Sequence, residues 1–207
     1  MDARRTKTVS KFMSLVLRHE PETIGLRLDP AGWAGVDELL DGMANHGQRV
    51  TRDELAHVVA TSDKQRFVLS DDGSRIRANQ GHSVAVDLGY PPQRPPDVLY
   101  HGTAAQFATS IRTKGLERMA RHAVHLSGSA EQTLRVAQRK GKPVLVTIDA
   151  KRMHADGYAF ARSPNGVWLT DHVPPQYLSV GGGSEGEEHS RGAGWSDSVE
   201  SKQSDDP

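Results

Sequence analysis

The feature that most constrains the fold is a short apolar run at residues 98–103, which ends abruptly in histidine, glycine and threonine. Such a run is typical of a buried strand whose last residues leave the sheet and meet a ligand. We expect Gly102 to let a backbone come close, and Thr103 to cap a helix that runs to Lys114. The residues before this strand are predicted to form one lobe, and those after it another.

The composition is compatible with two small lobes and an intracellular location. The chain has 207 residues, of which 36% are hydrophobic, and this is enough for compact cores. It contains no cysteine, which excludes disulfides and thiolate metal sites. No apolar run approaches the ~18 residues of a membrane span, and the N-terminus does not read as a signal core. We therefore expect a cytoplasmic protein with no membrane partner.

Charge is distributed unevenly along the chain, although the formal net charge is zero. Residues 1–90 carry 12 basic and 13 acidic side chains, residues 91–180 carry 12 and 6, and residues 181–207 carry 2 and 7. The middle segment is therefore basic. This favours a polyanion or a phosphate-bearing ligand, although a basic surface without a ligand is as compatible with the count.

Residues 1–90 are predicted to form a winged-helix lobe. An amphipathic helix ends near Arg18 and His19, where the macrodipole favours cations. These two residues are either functional or ordinary capping residues at the end of a helix. Further elements are a strand at 24–28, a helix from Trp33, a helix opened by a capping box at Thr51, and a hairpin with strands at 66–70 and 75–78. Helix, strand, helix, helix and hairpin is the order of a winged helix.

A proline-rich linker at residues 91–97 is expected to separate this lobe from a second one at residues 98–180. The second lobe reads as a mixed α+β unit. Its predicted strands lie at 98–103, 124–127, 144–148, 157–160, 167–169 and 177–180, and a capping box at Ser129 opens a helix. Residues 181–207 are acidic and rich in glycine and serine, and we expect them to be disordered.

Six motifs occur in a specific order, and together they identify a family. They are Arg18-His19, residues 64–67, residues 76–83, residues 100–103, residues 121–127 and residues 165–170. From about Thr8 to Val180 the chain resembles the RNA 2′-phosphotransferases, also called tRNA 2′-phosphotransferases. The resemblance implies a monomeric α+β protein, with an N-terminal winged-helix lobe that holds 2′-phosphorylated RNA and a C-terminal ADP-ribosyltransferase-like mixed α/β lobe that binds NAD.

The resemblance also implies a reaction and a catalytic set. In this family an internal RNA 2′-phosphate displaces nicotinamide from NAD, and the NAD ribose 2″-hydroxyl then attacks that phosphate. The products are 2′-hydroxyl RNA, nicotinamide and ADP-ribose 1″,2″-cyclic phosphate. The family's catalytic positions fall on Arg18, His19, Arg66 and Arg121. Guanidiniums suit a phosphate because each offers a planar pair of N–H donors and stays charged. The histidine can move a proton near neutral pH.

The NAD site implied by the resemblance departs from the usual signature of the ADP-ribosyltransferase fold at one position. The histidine, tyrosine or histidine, and glutamate signature of the ADP-ribosyltransferase fold corresponds here to His101, His125 and Val167, so the glutamate is missing. A phosphate nucleophile is already anionic and needs no carboxylate base, which would repel it. The other residues expected to contact NAD are Gly102, Thr103, Leu126 and Ser127.

Five polar residues are candidates for RNA contacts. Asn79, Gln80, His82 and Ser83 either contact RNA or form structural hydrogen bonds between the lobes. Lys64 is either a phosphate contact or an ordinary exposed lysine. We expect no metal, because His122 and His125 have no third ligand near in sequence.

Two other functions remain open at this point. The same residues suit an ADP-ribosyltransferase that caps terminal phosphates of RNA or DNA without a second step. A winged-helix regulator that senses NAD without catalysis is the other; it predicts that residues 1–90 bind duplex DNA, but they are formally −1, which is poor for a DNA reader.

Overall fold

A computed structural model describes residues 1–62, 64–138 and 142–181. Within these ranges the chain is a mixed α/β protein with six α-helices and several small antiparallel sheets. Two separate hydrophobic clusters are buried, one drawn from residues 9–78 and the other from residues 99–177. None of the helices in the described ranges is long and apolar enough to cross a membrane.

The N-terminal group of elements surrounds the first cluster. Its members are α1 (Ala3–Val16), β1 (Trp33–Gly35), α2 (Val36–Asn45), α3 (Arg52–Ala60), β2 (Phe67–Leu69) and β3 (Arg75–Ala78). The strands form one sheet in the order β1-β3-β2. Helix α3 carries the predicted capping box, in which the Glu54 backbone N–H donates to the Thr51 hydroxyl. Helix α1 ends with Leu17 as its cap, so Arg18 and His19 directly follow it as expected.

The predicted strand at 24–28 is wrong, and so is the helix start at Trp33. Residues Pro21–Ile24 form a 3₁₀ turn that Gly25 closes with a φ of 65°, so this segment cannot extend into a sheet. Trp33 instead begins β1, opposite Arg77 of β3. The Arg77 guanidinium lies 4.7 Å from the Trp33 ring centroid, and this cross-strand contact favours the extended conformation.

The C-terminal group of elements surrounds the second cluster. Its members are β4 (Val98–Ala104), α4 (Ala108–Lys114), β5 (Leu116–Glu117), β6 (Val124–Leu126), α5 (Ala130–Ala137), β7 (Pro143–Asp149), α6 (Ala150–Ala155), β8 (Ala161–Arg162), β9 (Trp168–Thr170), β10 (His172–Val173) and β11 (Leu178–Gly181). The sheets have the orders β11-β7-β4, β6-β9-β8 and β10-β5. A bridge between Tyr100 and Ser127 connects the first two sheets, so β4 and β6 are neighbours.

Three boundaries in this group differ from the prediction. Thr103 does not cap a helix, because it lies inside β4 and pairs with Val144 of the central strand β7. The strand predicted at 157–160 lies instead at Ala161–Arg162, where it pairs with β9. The last strand includes Gly181, so the predicted tail begins at least one residue later; residues 182–207 lie outside the described ranges.

Gly102 allows helix α5 to pack directly on β4. A Cβ at this position would lie 2.9 Å from the Thr133 carbonyl oxygen and 3.0 Å from the Ala137 Cβ, and the backbone of α5 cannot move aside cheaply. We therefore expect Gly102→Ala to lower the free energy of unfolding by about 1–3 kcal/mol, as measured by urea denaturation. Gly128→Ala is the matched control, since a Cβ there would have no atom within 4 Å. Equal stabilities for the two variants would contradict this packing.

Candidate active site

Arg18 is fixed in position by contacts to its backbone and to its side chain. Its carbonyl oxygen accepts hydrogen bonds from the backbone N–H groups of Ser83 at 2.9 Å and Val84 at 3.3 Å. Its Nη2 donates to the Arg66 carbonyl oxygen at 3.3 Å. Gly81, which has a φ of 89°, lies beside it, and a Cβ there would be 3.5 Å from Nη1 of Arg18. The guanidinium is therefore held against the loop that follows β3.

Arg66 and Arg121, one from each group of elements, lie close enough to Arg18 for their charges to repel its guanidinium. Burial, which is the largest cause, and the positive charges of Arg66 and Arg121 together lower the pKa of Arg18 to about 10. In the described part of the chain, none of the three forms a salt bridge with a carboxylate. Uncompensated guanidiniums that converge in this way favour a bound anion such as a phosphate.

His19 lies next to this cluster and faces solvent. Its Nδ1 is 2.9 Å from the Ser83 hydroxyl oxygen. Partial burial lowers the pKa of His19, as do the charges of Arg18 and Arg121, while Glu20 opposes them. The ring is therefore predominantly neutral at pH 7, and can accept a proton from a group bound beside the arginines.

Hydrogen bonds between the two groups of elements bring Arg121 to Arg18. The backbone N–H of His122 donates to the His82 carbonyl oxygen at 3.1 Å. The Asn165 amide donates to the Lys64 carbonyl oxygen at 2.9 Å. Arg121 directly precedes His122. The hydrogen bond from His122 to His82 therefore determines where the third guanidinium lies.

Three histidine rings line this interface. The rings of His82 and His122 have centroids 5.7 Å apart, those of His122 and His125 are 5.6 Å apart, and both pairs meet edge to face. Within the described ranges, no ring nitrogen of His82 or His125 has a hydrogen-bond partner. Burial lowers the pKa of all three rings, and so do the neighbouring positive groups, while a hydrogen bond to the His82 backbone opposes this for His122. The rings are therefore neutral at pH 7.

The five residues predicted to contact RNA occupy different environments. Asn79 is buried; its amide donates to the Gln65 carbonyl oxygen at 2.6 Å, and its backbone N–H donates to the Arg66 carbonyl oxygen at 2.9 Å. The His82 side chain has no exposed surface. The Asn79 hydrogen bonds lie within the N-terminal group, and the bond between the two groups is made by the His82 backbone carbonyl rather than by its side chain. Gln80 is half-buried, while Lys64 and Ser83 are exposed.

Asn79 also supports a strained residue that sequence reasoning missed. Gln65 has a φ of 41°, which is unusual for a residue with a side chain. The Asn79 amide holds its carbonyl oxygen, and this fixes the direction in which the chain enters Arg66. No local sequence signal marks Gln65, because the contact depends on a residue 14 positions away.

The residues predicted to contact NAD lie on three adjacent strands. The His101 Nδ1 on β4 is 3.0 Å from the His125 carbonyl oxygen on β6. Val167 directly precedes β9, in which Trp168 pairs with Leu126. Ser127 and Tyr100 exchange backbone hydrogen bonds at 2.8 Å. The Leu126 side chain is buried in the core, so only its backbone is available to a ligand. Within the described ranges, no cluster of histidine and acidic residues could hold a metal ion.

Comparison with known proteins identifies the class of enzyme to which this site belongs. Residues 4–172 match the model of the RNA 2′-phosphotransferase, Tpt1/KptA family. A probable RNA 2′-phosphotransferase from Streptomyces griseus is 53% identical over 189 residues, which cover 88% of this chain and 100% of the relative. Another from Acaryochloris marina is 52% identical over 175 residues, covering 84% and 97%. The chain belongs to the RNA 2′-phosphotransferase family and is a transferase.

The buried histidines make stability depend on pH. The pKa values of His82 and His125 fall from 6.5 to about 3, so between these limits the unfolded chain binds more protons than the folded chain. The stability that they confer is complete above pH 6.5, and is lost as the pH falls toward 3. We expect the free energy of unfolding to fall by up to about 1.4 kcal/mol per pH unit for each histidine.

Urea denaturation from about pH 7.5 to about pH 4 measures this slope. His82→Gln should reduce the slope, whereas His154→Gln, a change at an exposed histidine of α6, should not. A free energy of unfolding that stays constant across this range would contradict the assignment.

Proposed function

We propose that this transferase removes an internal 2′-phosphate from RNA with NAD as its co-substrate. In this proposal residues 1–90 are a winged-helix lobe that holds RNA, residues 91–97 are the linker, and residues 98–180 are an ADP-ribosyltransferase-like lobe that binds NAD. The separate buried clusters support this division. The observation that carries the proposal is the convergence of Arg18, Arg66 and Arg121 without a carboxylate partner among the described residues.

The arginines bind the RNA 2′-phosphate and hold it through both steps. Each guanidinium offers a planar pair of N–H donors to phosphate oxygens, and remains charged as negative charge grows on the phosphate. Arg18 is already largely desolvated, so its attraction for a phosphate is screened less than that of an exposed arginine. Binding also relieves the repulsion between the three cations.

In the first step a phosphate oxygen forms a bond to C1″ of the NAD ribose, and the bond from C1″ to the nicotinamide nitrogen breaks. Nicotinamide leaves as a neutral molecule that keeps the bonding electron pair. His101, His125 and the backbone near Ser127 are the groups that orient the ribose and the amide. Val167 stands where a carboxylate would repel the phosphate nucleophile.

In the second step the ribose 2″-hydroxyl oxygen forms a bond to phosphorus, and the bond from phosphorus to the RNA 2′-oxygen breaks. His19, whose ring is neutral at pH 7, accepts the proton of the 2″-hydroxyl and returns it to the RNA 2′-oxygen. The ring is held by the Ser83 hydroxyl at 2.9 Å. The products are 2′-hydroxyl RNA and ADP-ribose 1″,2″-cyclic phosphate.

A second candidate function uses the first step alone. An RNA or DNA with a terminal phosphate would receive ADP-ribose at the same arginines, and would keep it where the ribose 2″-hydroxyl does not go on to attack the phosphorus. A non-catalytic regulator that senses NAD is disfavoured, since membership of a transferase family is shown.

In the direct test, the protein is incubated with a short RNA that carries one internal 2′-phosphate, with and without NAD, and the RNA phosphate and nicotinamide are measured. We expect the RNA to lose its phosphate only with NAD, with release of nicotinamide and the cyclic phosphate. Arg121→Ala removes one of three phosphate ligands and should lower kcat/KM by at least about a hundredfold. Arg94→Ala, at an exposed arginine between the lobes, is the matched control.

Two results would contradict the proposal. RNA that keeps a stable ADP-ribose would favour the capping function, and a terminally phosphorylated RNA would then be the better substrate. NAD that is never consumed would exclude both enzymatic functions.

A further inference from the structure

A second groove leads from the arginine cluster across the surface of the N-terminal group. It lies between α1 and α3 and has a volume of about 650 Å³. It shares no lining residue with a separate cleft that runs beside Arg121 and His122. We call it the α1–α3 groove. The lining residues that matter here are Lys7, Lys11, His57, Thr61, Ser62 and Arg66. Hydroxyl and cationic side chains therefore dominate its polar surface.

Among the described residues, the charge of this groove is uncompensated. The part of its lining that the structure describes contains no aspartate or glutamate. In the described part of the chain, Lys7, Lys11 and Arg66 form no salt bridge, whereas other cations of the same group of elements do. The paired cations are Arg5 with Glu54, Arg52 with Asp37, and Arg75 with Asp29. The near-zero net charge of residues 1–90 thus conceals a local difference. Within the described ranges, Lys7, Lys11 and Arg66 of the groove have no carboxylate partner, whereas cations elsewhere on this group are paired.

The groove and the arginine cluster are continuous. Lys7 and Lys11 are four residues apart on α1, and Arg18 follows the helix seven residues after Lys11. The backbone bond from His19 to Leu15 continues the helical spacing there, so all three lie on the same side. At a rise of about 1.5 Å per residue, Lys7 lies about 16 Å from Arg18 along the helix axis. Arg66 lines the groove and also repels Arg18, so it belongs to both places.

We propose that the α1–α3 groove binds the RNA strand that flanks the 2′-phosphate. This rests on the proposed function, since the phosphate held by the three arginines sets the register of the strand. Lys7 and Lys11 contact backbone phosphates, and the Ser62 hydroxyl donates a hydrogen bond to them. The Thr61 hydroxyl already donates to the His57 carbonyl oxygen at 2.7 Å, so it is not a phosphate donor. Ammonium and hydroxyl donors read phosphate rather than base edges, so the groove accepts any sequence. The distance of about 16 Å from Lys7 to Arg18 suits roughly five stacked nucleotides at about 3.4 Å each.

The test compares two RNAs that each carry one internal 2′-phosphate. One is a trinucleotide, and the other is the same trinucleotide extended by five nucleotides on both sides. The double variant Lys7→Gln with Lys11→Gln should lower the ratio of kcat/KM for the long over the short RNA by about tenfold, as expected for two lost phosphate contacts. The charge-matched control is Arg27→Gln with Lys114→Gln, since both residues are exposed and lie outside the groove.

A binding measurement separates failure of this inference from failure of the proposed function. Fluorescence anisotropy with the long RNA, without NAD, should show a salt dependence whose slope falls by about 1.4 in the double variant, or about 0.7 for each lost contact with a single strand. This readout needs no turnover. A slope and a length ratio equal to those of the wild type would overturn the inference, and so would an equal loss on both RNAs.

Discussion

The active site depends on the contacts that hold the loop after β3 between the two groups of elements. Ser83 and Val84 donate to the Arg18 carbonyl, while the carbonyl of the adjacent His82 accepts the N–H of His122. One short segment therefore holds the end of helix α1 on one side and the Arg121 segment on the other. The positions of Arg18 and Arg121 relative to each other follow from this arrangement, and so does their repulsion.

Such a cluster is unfavourable without a ligand, and the surrounding structure has to hold it together. The guanidinium of Arg18 is desolvated and lies near two other cations, which is why its pKa falls to about 10. Its Nη2 has the Arg66 carbonyl as its acceptor, and its guanidinium also lies 5.9 Å from the Phe67 ring centroid. These neutral contacts hold the charge in position without cancelling it. A carboxylate would stabilise the free protein more, but it would also compete with the phosphate.

Much of this organisation could be predicted from the sequence because it rests on local patterns. The end of α1, the capping box at Thr51 and the hairpin around Gly73 are each encoded within a few residues. What could not be predicted depends on partners distant in sequence. Trp33 begins a strand because Arg77 lies opposite it on β3. Thr103 remains in β4 because it pairs with Val144 of β7.

The candidate site shows the same division. The arginines and histidines were identified by resemblance, but the burial of His82 and Asn79 depends on contacts distant in sequence: His82 packs against the His122 ring, and Asn79 bonds to Gln65. The basic α1–α3 groove could not be predicted from the sequence for a related reason. A count of charges over residues 1–90 averages the groove with ion pairs elsewhere on the same surface, and only the structure separates them.

The central claim is that the arginine cluster is a site for an RNA 2′-phosphate. The most direct measurement compares, without NAD, the affinities of two RNAs of one sequence that differ only in a 2′-phosphate or a 2′-hydroxyl at one nucleotide. We expect the phosphorylated RNA to bind at least about tenfold more tightly, a difference of about 1.4 kcal/mol. Arg18→Gln should remove most of that difference. Equal affinities for the two RNAs would show that the cluster is not such a site.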